Sequence, residues 1–207
     1  MESGSGSASS VFGKSSSGAL GQKIAAAVAK AKSVVLKPEE MWPLLKAEAG
    51  DERSLVKEFI LIMAAIGPVC QILGALLFGI ASVGTALYSG LIAYMTQLGL
   101  IAMLMLALPK LVELFGGAAT RLDCLRLIAY SLSASFLVGF LGIIPWIPVI
   151  FIAAILSFYS IYLFYSGVPT MTGVPQERRF GFLAAVFVCL LVIGTVVSWI
   201  SSWFLPA

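Results

Sequence analysis

From Leu127 to Gln176 the chain runs for fifty residues without one Asp, Glu, Lys or Arg. No single buried helix of a soluble domain is that long, whereas a bilayer crossing needs about 20 apolar residues. The run therefore predicts two crossings, folded back at Pro145-Trp146-Ile147-Pro148. The prolines there remove backbone donors and bias the residues before them away from helix. In lipid, backbone groups must be satisfied internally, which leaves helix or closed barrel. The apolar residues are continuous rather than alternating, and that selects helix. Two more uncharged stretches, Phe59–Pro109 and Phe180–Ala207, repeat the pattern. A mean hydropathy of +1.03 with 11% charged residues agrees with an integral membrane protein.

The expected fold class is all-α and polytopic. Residues 1–18 are a Ser/Gly-rich tail expected to be disordered, and 19–57 form short amphipathic helices. Five spans follow in 58–207, at about 58–80, 87–108, 123–143, 147–165 and 182–204. The tail has no basic segment leading into an apolar one, so no signal peptide is expected. Of the 13 Lys and Arg residues, 12 lie before the first span, between spans two and three, or between spans four and five, and Arg126 lies in the first turn of span three at that same end. Five crossings put those segments on one side, and the positive-inside rule makes that side the cytoplasm, with the C-terminus exoplasmic. Trp146, Trp199 and Trp203 then fall toward the outer interface, and Tyr159, Tyr162 and Tyr165 toward the inner one. The net charge of +3 is thereby used by topology, and no nucleic-acid partner is expected.

Between Ala19 and Leu36, Leu20, Ile24, Val28, Ala31 and Val35 recur at helical spacing, with Lys23, Lys30 and Lys37 seven residues apart. Such a helix either lies on anionic headgroups or packs on the rest of the protein. Pro38 ends it and opens a second helix, where Trp42 suits an interface.

No side chain pattern for catalysis is present. There is no histidine, no nucleophile–base pair, no phosphate-binding glycine loop and no CxxC, so neither an enzyme nor a bound metal or other cofactor is expected. Cys70 and Cys189 read as inert buried thiols, while Cys124, near a membrane surface, is open to acylation. Asp123 and Arg126, with Thr120 ahead of them, read as a helix cap with a local ion pair, and Lys110 with Glu113 reads the same way. Phe115-Gly116-Gly117 reads as a helix stop.

No ionisable group lies deep in a span, which argues against a proton-coupled pump or a voltage sensor. The deepest polar groups are Gln71 and Gln97. Small residues recur four apart in three stripes: Gly67, Gln71, Ala75 and Gly79; Ser131, Ser135 and Gly139; Gly194, Ser198 and Ser202. Such stripes let helices approach and hydroxyls bond across them. The alternative is a polar crevice for an ion, solute or lipid, with Gln71, Gln97, Ser131 and Ser135 as its candidate residues in a small, oligomeric transporter. Pro68 beside Gln71 would kink that span.

Two groups of residues carry a resemblance. One is Val34-Val35-Leu36-Lys37-Pro38-Glu39-Glu40-Met41-Trp42. The other runs through Phe115-Gly116-Gly117, Ala129-Tyr130-Ser131, Pro145, Tyr159-Ser160-Ile161-Tyr162-Leu163, Tyr165-Ser166-Gly167-Val168-Pro169, Met171 and Pro175. Together they resemble the Yip family of Ypt/Rab-interacting membrane proteins, in its bacterial branch, over about Val34 to Val192. The resemblance implies five spans with a cytoplasmic N-terminus. It also implies a non-catalytic adaptor that meets a membrane or cytosolic protein partner through its cytoplasmic face. The motif positions Pro38, Trp42, Gly116, Gly117, Tyr130, Ser131, Pro145, Tyr159, Tyr162, Gly167 and Pro169 are then structural turns or a docking surface. A bacterial member belongs in the cytoplasmic membrane; a eukaryotic one in early secretory membranes, with a prenylated small GTPase as partner. The Asp-Leu-Tyr-Gly-Pro run of the eukaryotic branch is missing. Ser133-Ala134-Ser135 stands where relatives often carry Thr-Pro, which removes the proline basis for a kink there.

Overall fold

The computed structural model describes residues 8–144 and 146–203, and every element among them is helical. We number the helices α1 (Ala8–Leu36), α2 (Pro38–Ala47), then the five long apolar segments α3 (Glu52–Leu77), α4 (Val83–Leu114), α5 (Arg121–Ile143), α6 (Ile147–Thr172) and α7 (Gln176–Ser202). Each of the five is long and apolar enough to cross a bilayer. Their order matches the expected spans, but α4 and α6 run past the expected ends at Leu108 and Tyr165. Neither Pro109 nor Pro169 stops its helix, because neighbouring helices pack on those turns.

The helix α1 begins at Ala8, well before the expected onset at Ala19, so the expected disordered tail is helical from that point. No proline interrupts residues 8–36, and the alanines downstream favour propagation toward the N-terminus.

α5 is the enclosed helix of the bundle: all eight residues from Cys124 to Ser131 are buried. It is not straight. A turn at Leu132 separates Arg121–Ser131 from Ser133–Val138, and a 3₁₀ turn closes it at Gly139–Ile143. The interruption occurs although Ser133-Ala134-Ser135 contains no proline. α3 packs against this distal part of α5 through glycines. A Cβ on Gly139 would lie 2.9 Å from the Gly67 Cα, so these stripes join two helices at backbone distance. On the far side, α4 holds α7 by a bond between the Thr96 and Ser201 hydroxyls at 2.6 Å.

Two loops close the charged end. Gly116 takes φ +78, and its N–H and that of Gly117 reach back to the carbonyls of Glu113 and Val112, the double bond pattern of a glycine helix stop. Gly117 has no room for a side chain: a Cβ there would meet the Thr172 carbonyl and the Val112 and Val174 side chains. The adjacent Ala118 N–H donates to the same Thr172 carbonyl at 3.0 Å, tying the α4–α5 loop to the end of α6.

Candidate functional site

The helices before the first span do not stand apart from the bundle. α1 and α2 form a hairpin folded at Lys37, with Pro38 in the first turn of α2, where a missing N–H is harmless. Ala27, Ala31 and Val34 of α1 are buried, and α1 packs against α3 and α5. The face turned to protein is therefore offset from the expected stripe, of which Ala31 is buried, Val28 and Val35 are half-buried and Ile24 is exposed. Two of the lysines of α1 are paired: Lys23 with Glu58 at 3.1 Å and Lys30 with Glu48 at 2.6 Å. Burial opposes the charge on Lys30, yet interactions with Glu48 and the Tyr130 hydroxyl outweigh it and hold the ammonium pKa above its ordinary 10.5.

α2 lies along the C-terminal half of α6. Trp42, 1% exposed, donates from Nε1 to the Ser166 hydroxyl at 2.9 Å, and Lys46 donates from Nζ to the Thr170 carbonyl. The indole rests on Gly167, where a Cβ would lie 2.7 Å from the ring and from the Leu127 side chain. At the hairpin tip, the Tyr159 hydroxyl donates to the Val35 carbonyl at 3.0 Å, and its ring lies 5.3 Å from that of Tyr162.

Tyr130 is likewise inside. It is 2% exposed, its ring centroid is 4.7 Å from that of Phe59, and the Lys30 ammonium stands 5.4 Å from it. One turn earlier on α5, Arg126 is 6% exposed and donates to the carbonyls of Lys46 and Glu48, the residues that end α2. Its distance to the Asp123 carboxylate is 4.0 Å, so the expected local ion pair is present at the limit of contact, and the clamp on α2 is the stronger interaction. Asp123 itself completes a reciprocal cap with Thr120. Lys110 and Glu113 form no comparable pair among the described residues. Beside Arg126 a cavity of about 330 Å³ opens, lined by Lys23, Lys30, Glu48, Asp51, Glu58 and Tyr130.

Of the motif positions, Trp42, Pro38, Tyr130 and Gly167 therefore meet in one packed region, with Tyr159 at its edge and Gly116 and Gly117 in the adjoining loops. Tyr162 is exposed, Pro169 is half-buried inside α6, and Pro145 lies outside the described residues. Cys124, which its position near a span end left open to acylation, is 0% exposed and presents no accessible thiol in this fold.

The intramembrane candidates divide. Gln71, Gln97 and Ser135 share a crevice of about 360 Å³ with Gly67, Pro68 and Gly139. Ser131 lines a different groove, and Ser135 is on the wall between the two. The Ser135 hydroxyl bonds that of Ser160 at 2.8 Å. The sequence assigned Arg126 only to a local pair with Asp123, and gave Ser160 and Ser166 no role beyond their place in the resemblance. Arg126 carries a usable signal, since it precedes Tyr130 by four residues and so shares its helix face.

These features define a class: a five-span helical membrane protein whose N-terminal helical hairpin is locked onto the charged end of its third and fourth spans. The Yip1 domain family model matches residues 32–203, from within the hairpin to the end of the last span, and the chain belongs to that family. No curated protein and no solved structure matches it.

Proposed function

We propose that the chain is a non-catalytic membrane adaptor or organiser of the Yip type. Its charged end faces the cytoplasm and its last residues face the exoplasmic side. The observation that carries this reading is the hairpin itself. Trp42, Tyr130 and Gly167 point inward and make it rigid, while Lys32, Lys37, Glu39 and Glu40 are left on its outer surface. The motif positions are then the frame, and the exposed charge they support is what a partner meets. That partner is a membrane or cytosolic protein, together with anionic lipid of the surrounding leaflet. A bacterial chain would act in the cytoplasmic membrane; a eukaryotic one in early secretory membranes, where a small GTPase is the partner.

The test uses the full chain in nanodiscs as bait against membrane and cytosolic extracts. Retention of a partner that Lys32→Glu with Lys37→Glu abolishes, without loss of folded protein, supports the adaptor. Failure to retain any protein or anionic lipid counts against it.

A second reading is favoured by the crevice that joins Gln71, Gln97 and Ser135, whose lining carries amides and hydroxyls but no charge. It would suit passage of a small uncharged solute or a lipid through an oligomer. Gln71→Leu and Ser135→Ala separate the two readings: solute flux in proteoliposomes that falls with either variant favours transport, and unchanged flux with intact folding removes it.

A further inference from the structure

The cavity beside Arg126, about 330 Å³, stands at the low end of small-molecule sites, roughly 300–1,000 Å³. Its ionisable lining balances: Lys23, Lys30 and Arg126 against Glu48, Asp51 and Glu58. Four of these six are consumed in the pairs Lys23–Glu58 and Lys30–Glu48. The two left over carry opposite charges. Arg126, 6% exposed, comes no nearer to a carboxylate than 4.0 Å, at Asp123, and spends two N–H groups on the Lys46 and Glu48 carbonyls. Asp51 is exposed, and its carboxylate forms no ion pair among the described residues. The two stand close without pairing: Arg126 Nη2 is 3.4 Å from where a Cβ on Gly50, the residue before Asp51, would lie. Tyr130 adds a third unfilled group. It follows Arg126 by one turn, lines the same cavity and is 2% exposed. The Lys30 ammonium beside its ring can only donate, so the phenol proton has no acceptor among the described residues. A buried donor left in that state is destabilising, and native structures leave few of them.

We propose that this cavity binds an aminoalkyl phosphate, its phosphate oxygens accepting from Arg126 and the Tyr130 hydroxyl and its ammonium donating to Asp51. A simple anion would answer Arg126 and leave Asp51 facing a like charge; a simple cation would do the reverse. A zwitterion answers both and keeps the cavity neutral. The planar guanidinium offers a phosphate its parallel donors, and the phenol supplies one more. Such a group comes from an ethanolamine phospholipid headgroup or from a free phosphate ester. Leu55, Phe59 and Leu122 line the same space in the opening turns of α3 and α5, where a headgroup would meet its own apolar part. The proposal is independent of the adaptor reading, whose test residues Lys32 and Lys37 lie outside this cavity.

The experiment uses the full chain in detergent and has two arms. Native mass spectrometry compares retention of phosphatidylethanolamine with that of phosphatidylglycerol. Calorimetric titration compares the soluble glycerophosphoethanolamine with glycerol phosphate, and glycine is a further probe. In at least one arm the ethanolamine form should bind one per chain, about tenfold or more in preference to its partner. Tyr130→Phe keeps the ring on Phe59 and should weaken that binding about threefold to tenfold. Asp51→Asn, at an exposed position, should spare folding and abolish the ethanolamine preference. A preference in the lipid arm alone assigns the headgroup, and one in the soluble arm assigns the free ester. Absence of the preference from both arms, or its persistence in Asp51→Asn, overturns the zwitterion. Glycine bound as tightly as the phosphate ester overturns the phosphate, and binding unchanged in both variants overturns the site.

Discussion

The Trp42 indole and the Ser166 hydroxyl meet at 2.9 Å across 124 residues of chain, joining a helix outside the apolar segments to the fourth of them. Ser166 in turn donates to the Leu163 carbonyl at 2.9 Å, so the hydroxyl is used on both sides. Trp42→Phe removes the bond and keeps most of the ring, and should lower stability by about 0.5–1.5 kcal/mol. Trp42→Ala leaves a cavity and should lower it by about 3–5 kcal/mol. Thermal unfolding in one detergent orders the three proteins; equal melting temperatures would show that α2 is not held there.

Gly167→Ala introduces a methyl group where the indole and Leu127 already stand. The expected loss is about 1–3 kcal/mol from overpacking. Gly84→Ala is the matched control, because nothing lies within 4 Å of its would-be Cβ near the start of α4. It should be neutral or stabilise by up to about 1 kcal/mol. A melting comparison in which both variants behave alike contradicts the packing described.

Arg126→Met takes the donors from the Lys46 and Glu48 carbonyls. We expect about 1–3 kcal/mol of destabilisation, expressed locally as faster proteolysis between Glu48 and Asp51. Arg126→Lys, with a single ammonium in place of a planar fork, should restore only part of the protection. Cleavage rates unchanged from those of the parent protein would remove the clamp.

The Lys30 pair gives a pH dependence with a definite sign. Its folded pKa is raised above 10.5, so its stabilisation is fully present below that value and is lost as pH rises through the higher folded value. The stability gap between the parent protein and Lys30→Met should therefore be flat from neutral pH to about 10 and shrink above it. A gap that widens in alkali would reverse the assignment.

How far the residues alone disclosed this arrangement depended on range. The spans were legible because a bilayer imposes a length and forbids charge, and Leu127–Gln176 meets both conditions. The Gly116 stop was legible because a left-handed turn calls for glycine. The hairpin dock was not. The Lys23, Lys30 and Lys37 spacing describes an amphipathic helix equally well on lipid or on protein, and only the neighbours Glu58, Glu48 and Tyr130 decide between them. Ser131 and Ser135 share a helix face as their spacing implies, but spacing does not say which neighbour that face meets. Gln71 consequently joins Ser135 and not Ser131. Cys124 looked accessible from its place near a span end, and it is buried, because place along the chain does not name the neighbours that pack around it.

The claim on which the functional account rests is that five crossings collect the cationic segments, hairpin included, on one side of the membrane. Single cysteines at Lys37, Glu177 and Ser82 in a cysteine-free background, probed with a membrane-impermeant maleimide on sealed vesicles of known orientation, test it directly. The account predicts that positions 37 and 177 react from the cytoplasmic side and that position 82 reacts only from the opposite one. Reaction of positions 82 and 177 from the same side would contradict it.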